Sequence, residues 1–233
     1  MADIDFGRFD VLTFDCYGTL IDWEAGILAG LRTILDPQGV TAADDDLLER
    51  YARAEAAVEA GDYLRYREVL ARSADAACRE LGAVPSFGAL AVFGGSVGDW
   101  PAFPDSAEAL ARLHERFGLA VITNCDDDLF AASSRRLGIT FDHVITAQQV
   151  GSYKPGHRSF EVAFERIGVP RERILHVAQS LFHDHVPAKQ LGLTTVWIDR
   201  RQGQTGSGAT PPAAAVPDLA VPSMAAFADL ALG

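Results

Sequence analysis

The chain has 233 residues, 48% of them hydrophobic and 22% charged, enough for one large domain or one domain with a sizeable insertion, and unlike disordered, collagenous or membrane sequences. Twenty Lys and Arg against 32 Asp and Glu leave a net charge of −12 at pH 7, so no overall basic field exists to hold a nucleic acid or a membrane surface, and an anionic substrate must be captured by local cations. The three dispersed cysteines Cys16, Cys78 and Cys125 argue against a disulfide framework, and no signal-like or spanning apolar run is present, as expected of a cytoplasmic protein.

The first predicted strand is FDVLTFD, Phe9 to Asp15, apolar until it ends in an acid and a turn at Gly18. From residue 21 to 91 no strand pattern occurs. The Ala-rich, charged runs DDDLLERYARAEAAVEA and DYLRYREVLARSADAACREL predict helices, so this segment reads as a helical cap. Gly94, Gly95, Gly98 and WPAFP supply the predicted return hinge. Strands then alternate with helices. The helix Asp105 to Phe117 opens on a capping-box-like Asp105 and Glu108, and the strand Leu119 to Asn124 follows. The acidic run Asp126 to Asp128 is expected to serve the N-terminus of a helix reaching Leu137, and His143 to Thr146 is the next strand. The helix Arg158 to Ile167, the strand Ile174 to Ala178, the helix Phe182 to Leu191 and the strand Thr194 to Ile198 complete the alternation, with Gly138, Gly168 and Gly192 as helix stops. Gly203 to Pro217 reads as a long mobile loop and Met224 to Leu232 as a closing helix.

This pattern predicts an α/β fold: a Rossmann-like parallel sheet with helices on both faces, formed by residues 1–20 and 92–233, with the cap of residues 21–91 inserted after the first strand. Ligands in such sheets gather beyond the carboxyl ends of the strands. Four clusters fall there: Asp15-Cys16-Tyr17-Gly18-Thr19, Thr123-Asn124, Lys154-Pro155 and Asp184. An acid at a strand tip followed by a glycine turn suits a nucleophile, and the turn's backbone N–H groups suit an anion.

In that order the clusters resemble the haloacid dehalogenase superfamily over nearly the whole chain, and most of all the L-2-haloacid dehalogenases, whose first motif similarly carries Tyr-Gly-Thr beginning two residues after the nucleophile. Phosphatases of the superfamily have a second aspartate at the place of Tyr17, because a basic alkoxide needs a proton to leave. A halide leaves without one. An aspartate that they place before Ser or Thr is here Gln179, so neither a metal nor any other cofactor is expected. The resemblance implies Asp15 as nucleophile, Asp184 activating water, Lys154 holding both carboxylates, and Thr19 orienting Asp15. Thr123, with backbone N–H groups around Tyr17 and Gly18, would bind the carboxylate of a small haloacid. Asn124 and a cap arginine would cradle the halide. Arg53, Arg65 and Arg67 are candidates for that arginine, and Arg53 is preferred.

Departures from the family pattern are Phe160 in place of a tyrosine, and Gln179 and Leu181 in place of a serine and an asparagine, with His183 where an aromatic ring often packs. His183 could serve fluoride, although a structural histidine is the commoner case. Read singly, Asp15 and Asp184 also suit turn or helix capping, Lys154 a solvated loop, and Tyr51, Tyr63 and Tyr66 packing of the cap, with one able to line the pocket. The rival functions are a Mg²⁺-dependent small-molecule phosphatase and a non-catalytic binding protein on the same scaffold. A homodimer is what the resemblance suggests.

Overall fold

The computed structural model describes residues 4–203 and 208–233. Six strands form one parallel sheet in the order β3-β2-β1-β4-β5-β6. They are β1 (Val11–Phe14), β2 (Gly118–Thr123), β3 (His143–Thr146), β4 (Ile174–Ala178), β5 (Thr194–Ile198) and β6 (Leu219–Val221). The chain's first strand is thus central, with Phe14 opposite Val121 of β2 on one side and Val177 of β4 on the other. Because all strands point the same way, Asp15, Asn124 and Gln179 emerge together at one edge, where the strand order switches direction.

The pleat divides the core. Leu12, Phe14, Leu119 and Val121 pack on one face with Leu110 and Leu113 of α5 (Ser106–His114) and Phe227 of α10 (Met224–Leu232), which are in the same buried cluster. Val11, Ala120 and Ile122 pack on the other with Phe160, Ala163 and Ile167 of α8 (Arg158–Ile167) and Ala188 of α9 (Val186–Gln190). The helical spacing of those three α8 residues is what lets one stripe cover the sheet. Two more helices, α6 (Asp127–Leu137) and α7 (Ala147–Val150), flank β3.

Between β1 and β2 run α1 (Trp23–Leu35), α2 (Asp44–Glu59), α3 (Tyr66–Glu80) and α4 (Phe87–Gly94). Asp22 starts α1 by accepting from the Ala25 N–H at 3.1 Å. Ile27 and Leu31 of α1, Leu48 and Tyr51 of α2 and Val69 and Leu70 of α3 are buried in the cluster that covers the Leu12 face of the sheet. Where this insertion leaves and rejoins the sheet, its two ends are tied together: Asp22 N–H donates to Pro101 O at 2.8 Å and Phe103 N–H to Leu20 O at 3.1 Å.

Some sequence expectations need correction. Gly94 and Gly95 finish α4 rather than forming a hinge, and Gly94 lies so near α3 that a Cβ would come within 2.5 Å of Arg67 O. Asp105 makes no cap bond; its carboxylate instead takes Arg200 at 2.9 and 3.0 Å and the Ala225 N–H at 3.1 Å. The helix expected from Phe182 begins as a π-helical turn, Leu181–His185, started by Ser180 accepting from the His183 N–H. Strand β6 has only three residues, too few for a periodic signal. Of the segment expected to be a mobile loop, residues 204–207 lie outside the described residues, while Ala209 is buried and donates its N–H to Glu24 of α1 at 2.9 Å. Among the described residues no helix is long and apolar enough to cross a membrane.

Candidate active site

The turn after β1 sets the first wall. Gly18 adopts φ +91°, which admits glycine without strain, and a Cβ there would meet Trp23 Nε1 at 2.9 Å. The turn folds Thr19 back so that its hydroxyl donates to Asp15 Oδ2 at 2.9 Å while accepting the Gln179 N–H at 2.9 Å. The backbone N–H groups of Cys16 and Tyr17 make no hydrogen bond among the described residues.

Lys154 enters from the segment between α7 and α8. Asn124, at the end of β2, grips its backbone twice: Lys154 N–H donates to Asn124 Oδ1 at 2.8 Å and Asn124 Nδ2 donates to Lys154 O at 3.0 Å. The ammonium then donates to Asp15 Oδ1 at 2.8 Å, Asp184 Oδ1 at 2.7 Å and Ile122 O at 2.8 Å. All three of its protons are used, which is how a cation only 1% exposed is tolerated. Asp184, fully buried, also receives His176 Nε2 at 3.1 Å, and His176 Nδ1 lies 2.9 Å from Thr13 Oγ1.

Burying each ion costs several kcal/mol, and the charge-assisted bonds of the trio offset that cost. Burial pushes the Asp15 carboxyl up, and Lys154 pulls against it. Burial would raise Asp184 too, yet Lys154 and His176 hold it well below the usual carboxylate range. Burial would lower the lysine, but the two aspartates push it up. Asp184 Oδ2 is buried without a hydrogen-bond partner, so it remains an unused acceptor on a residue that lines the site.

Asp15, Tyr17, Asn124, Lys154, His183 and Asp184 line one small cavity together with Trp23, Glu55, Glu59, Tyr66 and Ser180. Its volume is about 30 Å³, room for a molecule of a few heavy atoms on a scale where one water needs about 10–15 Å³. Tyr17 presents its ring there; its hydroxyl points into the core, 3.0 Å from Ser133 Oγ and 3.3 Å from Cys125 Sγ, and burial pushes its ionisation well up.

Other expected site residues fall elsewhere. The Gly18 N–H is taken by Ile21 O at 2.8 Å and is not free for a substrate. Thr123 is buried with its Oγ1 unpartnered and does not line the cavity. Arg53 is 60% exposed, pairs with Glu80 at 3.1 Å and lies outside the cavity, because it projects from the solvent side of α2. Arg65 and Arg67 hold Asp126 and Asp128. No arginine lines the cavity among the described residues. The run Asp126 to Asp128 does sit at the start of α6, with Asp126 at the cap position and Asp127 and Asp128 in the first turn, but the fully buried Asp126 side chain receives the Tyr66 and Arg67 N–H groups at 3.0 and 3.3 Å, fastening the start of α3 to the β2 edge.

Sequence reasoning missed Glu55 and Glu59. They follow Leu48, Tyr51 and Ala52 along the buried side of α2, and two acids continuing an apolar helical stripe were the available signal. Glu55 accepts from Tyr51 and Tyr66 hydroxyls at 2.9 and 3.1 Å, and burial raises it to about 7. Glu59 is raised well above the usual carboxylate range by burial and by Glu55. Tyr17 carries no carboxyl, but the insertion brings two carboxyl groups, pushed up by burial, to the same cavity.

A central strand tipped by one acid and joined through a buried ammonium to a second is the build of a Rossmann-like hydrolase. The family model of haloacid dehalogenase-like hydrolases matches residues 9–184, and the chain belongs to that family. It is 26% identical to the (S)-2-haloacid dehalogenase H-109 of Pseudomonas putida over 216 residues, 86% of this chain and 90% of that one. It is equally, 26%, identical to the haloacetate dehalogenase H-2 of Moraxella sp. (strain B) over 235 residues, 96% and 98% of the two chains. Its fold matches the L-2-haloacid dehalogenase of Xanthobacter autotrophicus with chloropropionic acid covalently bound, at TM-score 0.79 and 22% identity, over 97% of this chain and 99% of that one.

Proposed function

We propose that the protein hydrolyses short 2-haloacids such as haloacetate or 2-halopropionate to 2-hydroxy acids, through an ester on Asp15, with residues 21–91 as the cap over the site. The observation that carries this reading is the state of Asp15: one carboxylate oxygen held by Thr19, the other by Lys154, in a cavity of about 30 Å³ beside a second, strongly ionised aspartate. The names of the two relatives with nearly full-length similarity support the same substrate class.

In the first step Asp15 attacks C2 in line with the carbon–halogen bond; the C–O bond forms and the halide leaves with the bonding pair. The N–H groups of Cys16 and Tyr17, which make no hydrogen bond among the described residues, would receive the substrate carboxylate in the role expected of Gly18 and Thr123. In the second step Asp184 takes a proton from water through Oδ2, the hydroxide adds to the Asp15 carbonyl carbon, and collapse expels the 2-hydroxy acid, which takes that proton, while the acid left on Asp15 releases the net proton of hydrolysis to solvent and is carboxylate again. Holding reactant and nucleophile at attack distance contributes about 7–11 kcal/mol of barrier lowering.

The residues disfavour a magnesium ion, leaving Asp15 and Asp184 as its main carboxylates. Lys154 already occupies one oxygen of each aspartate, Gln179 stands where an additional acid would be needed, and among the described residues no cluster of three His, Cys, Asp or Glu side chains could hold a metal. One observation favours a second reading, phosphomonoester hydrolysis: Glu59 can protonate an alkoxide that Tyr17 cannot. Parallel assays separate them. Halide released from chloroacetate or 2-chloropropionate with chelator present is expected; phosphate release that needs magnesium, with no halide, would replace dehalogenation by the second reading.

A further inference from the structure

Four carboxyl groups, Asp15, Asp184, Glu55 and Glu59, line the cavity with a single ammonium. Lys154 gives its protons to the two aspartates and a carbonyl, so neither glutamate has a cation within bonding distance. A buried carboxyl without a counter-ion is neutralised by a proton. Glu55 sits behind two tyrosine hydroxyls that donate to it. Glu59 has no such screen. Its side chain is 8% exposed, Oε1 lies 3.5 Å from Asn124 Nδ2, and Oε2 stops 3.8 Å short of His183 Nε2. His183 is fixed from behind by Ser180, whose Oγ is 3.1 Å from Nδ1, and burial pushes the imidazole down to about 4, so it adds no charge at neutral pH.

We infer that Glu59, backed by His183, is the group that receives the departing halide, in the place where the sequence suggested an arginine. This rests on the dehalogenase reading and names its leaving-group preference. When C2–O forms and C2–X breaks, the carbon–halogen pair passes to the halide, which accepts a hydrogen bond from the Glu59 hydroxyl; no proton need be lost from the protein. A short, directional donor helps most where the leaving ion is small and basic. Fluoride gains much from it, whereas bromide, a diffuse and feeble acceptor, gains little. A guanidinium would instead favour all halides through its charge.

The test follows ester formation alone. In an Asp184→Asn background, where the second step is blocked, the mass adduct on Asp15 is timed with fluoroacetate, chloroacetate and bromoacetate, with and without Glu59→Gln. Glutamine keeps the shape but its amide proton is a far weaker acid. The expected result is a loss of about 10²-fold for fluoroacetate with bromoacetate changed less than about threefold. An equal loss for all three, or none, overturns the assignment. If Glu59→Gln does not fold, the pH dependence of the Asp184→Asn protein carries the test. The groups facing Glu59 are Glu55, Tyr66, Tyr153, His183, Asp15, Asp184 and Lys154. Titration of Asp15 or Lys154 affects every halide alike, so the fluoride-to-bromide ratio isolates the donor; it should fall towards alkaline pH, and a constant ratio overturns the assignment. Absence of any adduct and any halide with the unsubstituted protein is a different failure: it removes the dehalogenase reading itself.

Discussion

The two walls of the cavity solve the same problem, buried carboxyl groups, in opposite ways. On the sheet side, one ammonium and the hydroxyl and imidazole donors around Asp15 and Asp184 favour the charged forms from strand ends, holding Asp184 low while burial still pushes Asp15 up. On the side of the insertion, Glu55 and Glu59 meet no cation, and burial pushes both up, Glu55 to about 7 and Glu59 well above the usual carboxylate range, so that their acid forms are favoured. In the proposed mechanism the sheet wall supplies nucleophile and base, and the helical wall supplies neutral donors. A site with all four ionised would carry three uncompensated charges in low dielectric, which is why the second wall has to be protonated.

The largest expected effect comes from the sheet wall. Asp15→Asn should abolish halide release, by about 10⁴-fold or more, and leave no adduct detectable by mass spectrometry. An active Asp15→Asn protein would place the nucleophile elsewhere. Next, Asp184→Asn should lower steady-state turnover by about 10²–10⁴-fold while the first turnover still occurs, so that the ester accumulates on Asp15. Slowing of ester formation to the same degree would show Asp184 acting before, not after, the covalent step.

The sheet wall was also the legible one. Each of its residues follows a short apolar run, and in a parallel sheet the chain order of such runs is enough to bring Asp15, Asn124, Lys154 and Asp184 to one edge. Every expected strand is present within two residues at its ends, and only the three-residue β6 was not expected, because the expected strands are largely buried and read as continuous apolar runs. The helical wall was not legible. Periodicity shows which side of α2 is buried, but the direction that side faces depends on how the insertion is set on the sheet, through contacts such as Asp126 to the start of α3. Arg53 illustrates the error: a cation was expected at the site, and the buried side of that helix delivers Glu55 and Glu59 instead.

Lys154→Met tests the charge balance as stability. It leaves Asp15 and Asp184 buried without their cation, and should cost about 3–5 kcal/mol in denaturant unfolding. The pairing also fixes a sign: Asp184, held low, contributes stability that is present above about pH 3.8 and lost as pH falls through its folded-state value. Lys154→Met should therefore be less acid-sensitive in that range than the parent. Retained acid sensitivity would mean that the ammonium does not set the Asp184 ionisation.

The helical wall has the opposite pH sign and a smaller effect. Glu55 is raised from 4.5 to about 7, so its folded form holds a proton that the unfolded chain has lost; the resulting stability is complete below about 4.5 and disappears as pH rises through about 7. Relative to Glu55→Gln, which cannot titrate, the parent should lose about 1.4 kcal/mol for each pH unit in that window. The subtraction matters, because His183, lowered from 6.5 to about 4, pulls the parent's own curve the other way over much of the same range. A difference between the two proteins that stays flat from pH 4.5 to 7 would mean Glu55 is ionised in the folded state.

The smallest effect is expected at Arg53. Its partner Glu80 is 45% exposed and is shared with Arg50, so the contact is a solvent-screened ion pair of the kind that contributes about 0–1 kcal/mol. Arg53→Ala should shift unfolding by less than about 0.5 kcal/mol and leave halide release from every haloacetate unchanged. A halide-binding arginine would behave differently, raising KM or lowering kcat by one or more orders of magnitude, since its charge would be lost at the reacting centre. Intact activity in Arg53→Ala beside a fluoride-specific loss in Glu59→Gln would locate the leaving-group contact on the buried side of α2, six residues along the same helix from the arginine that faces solvent.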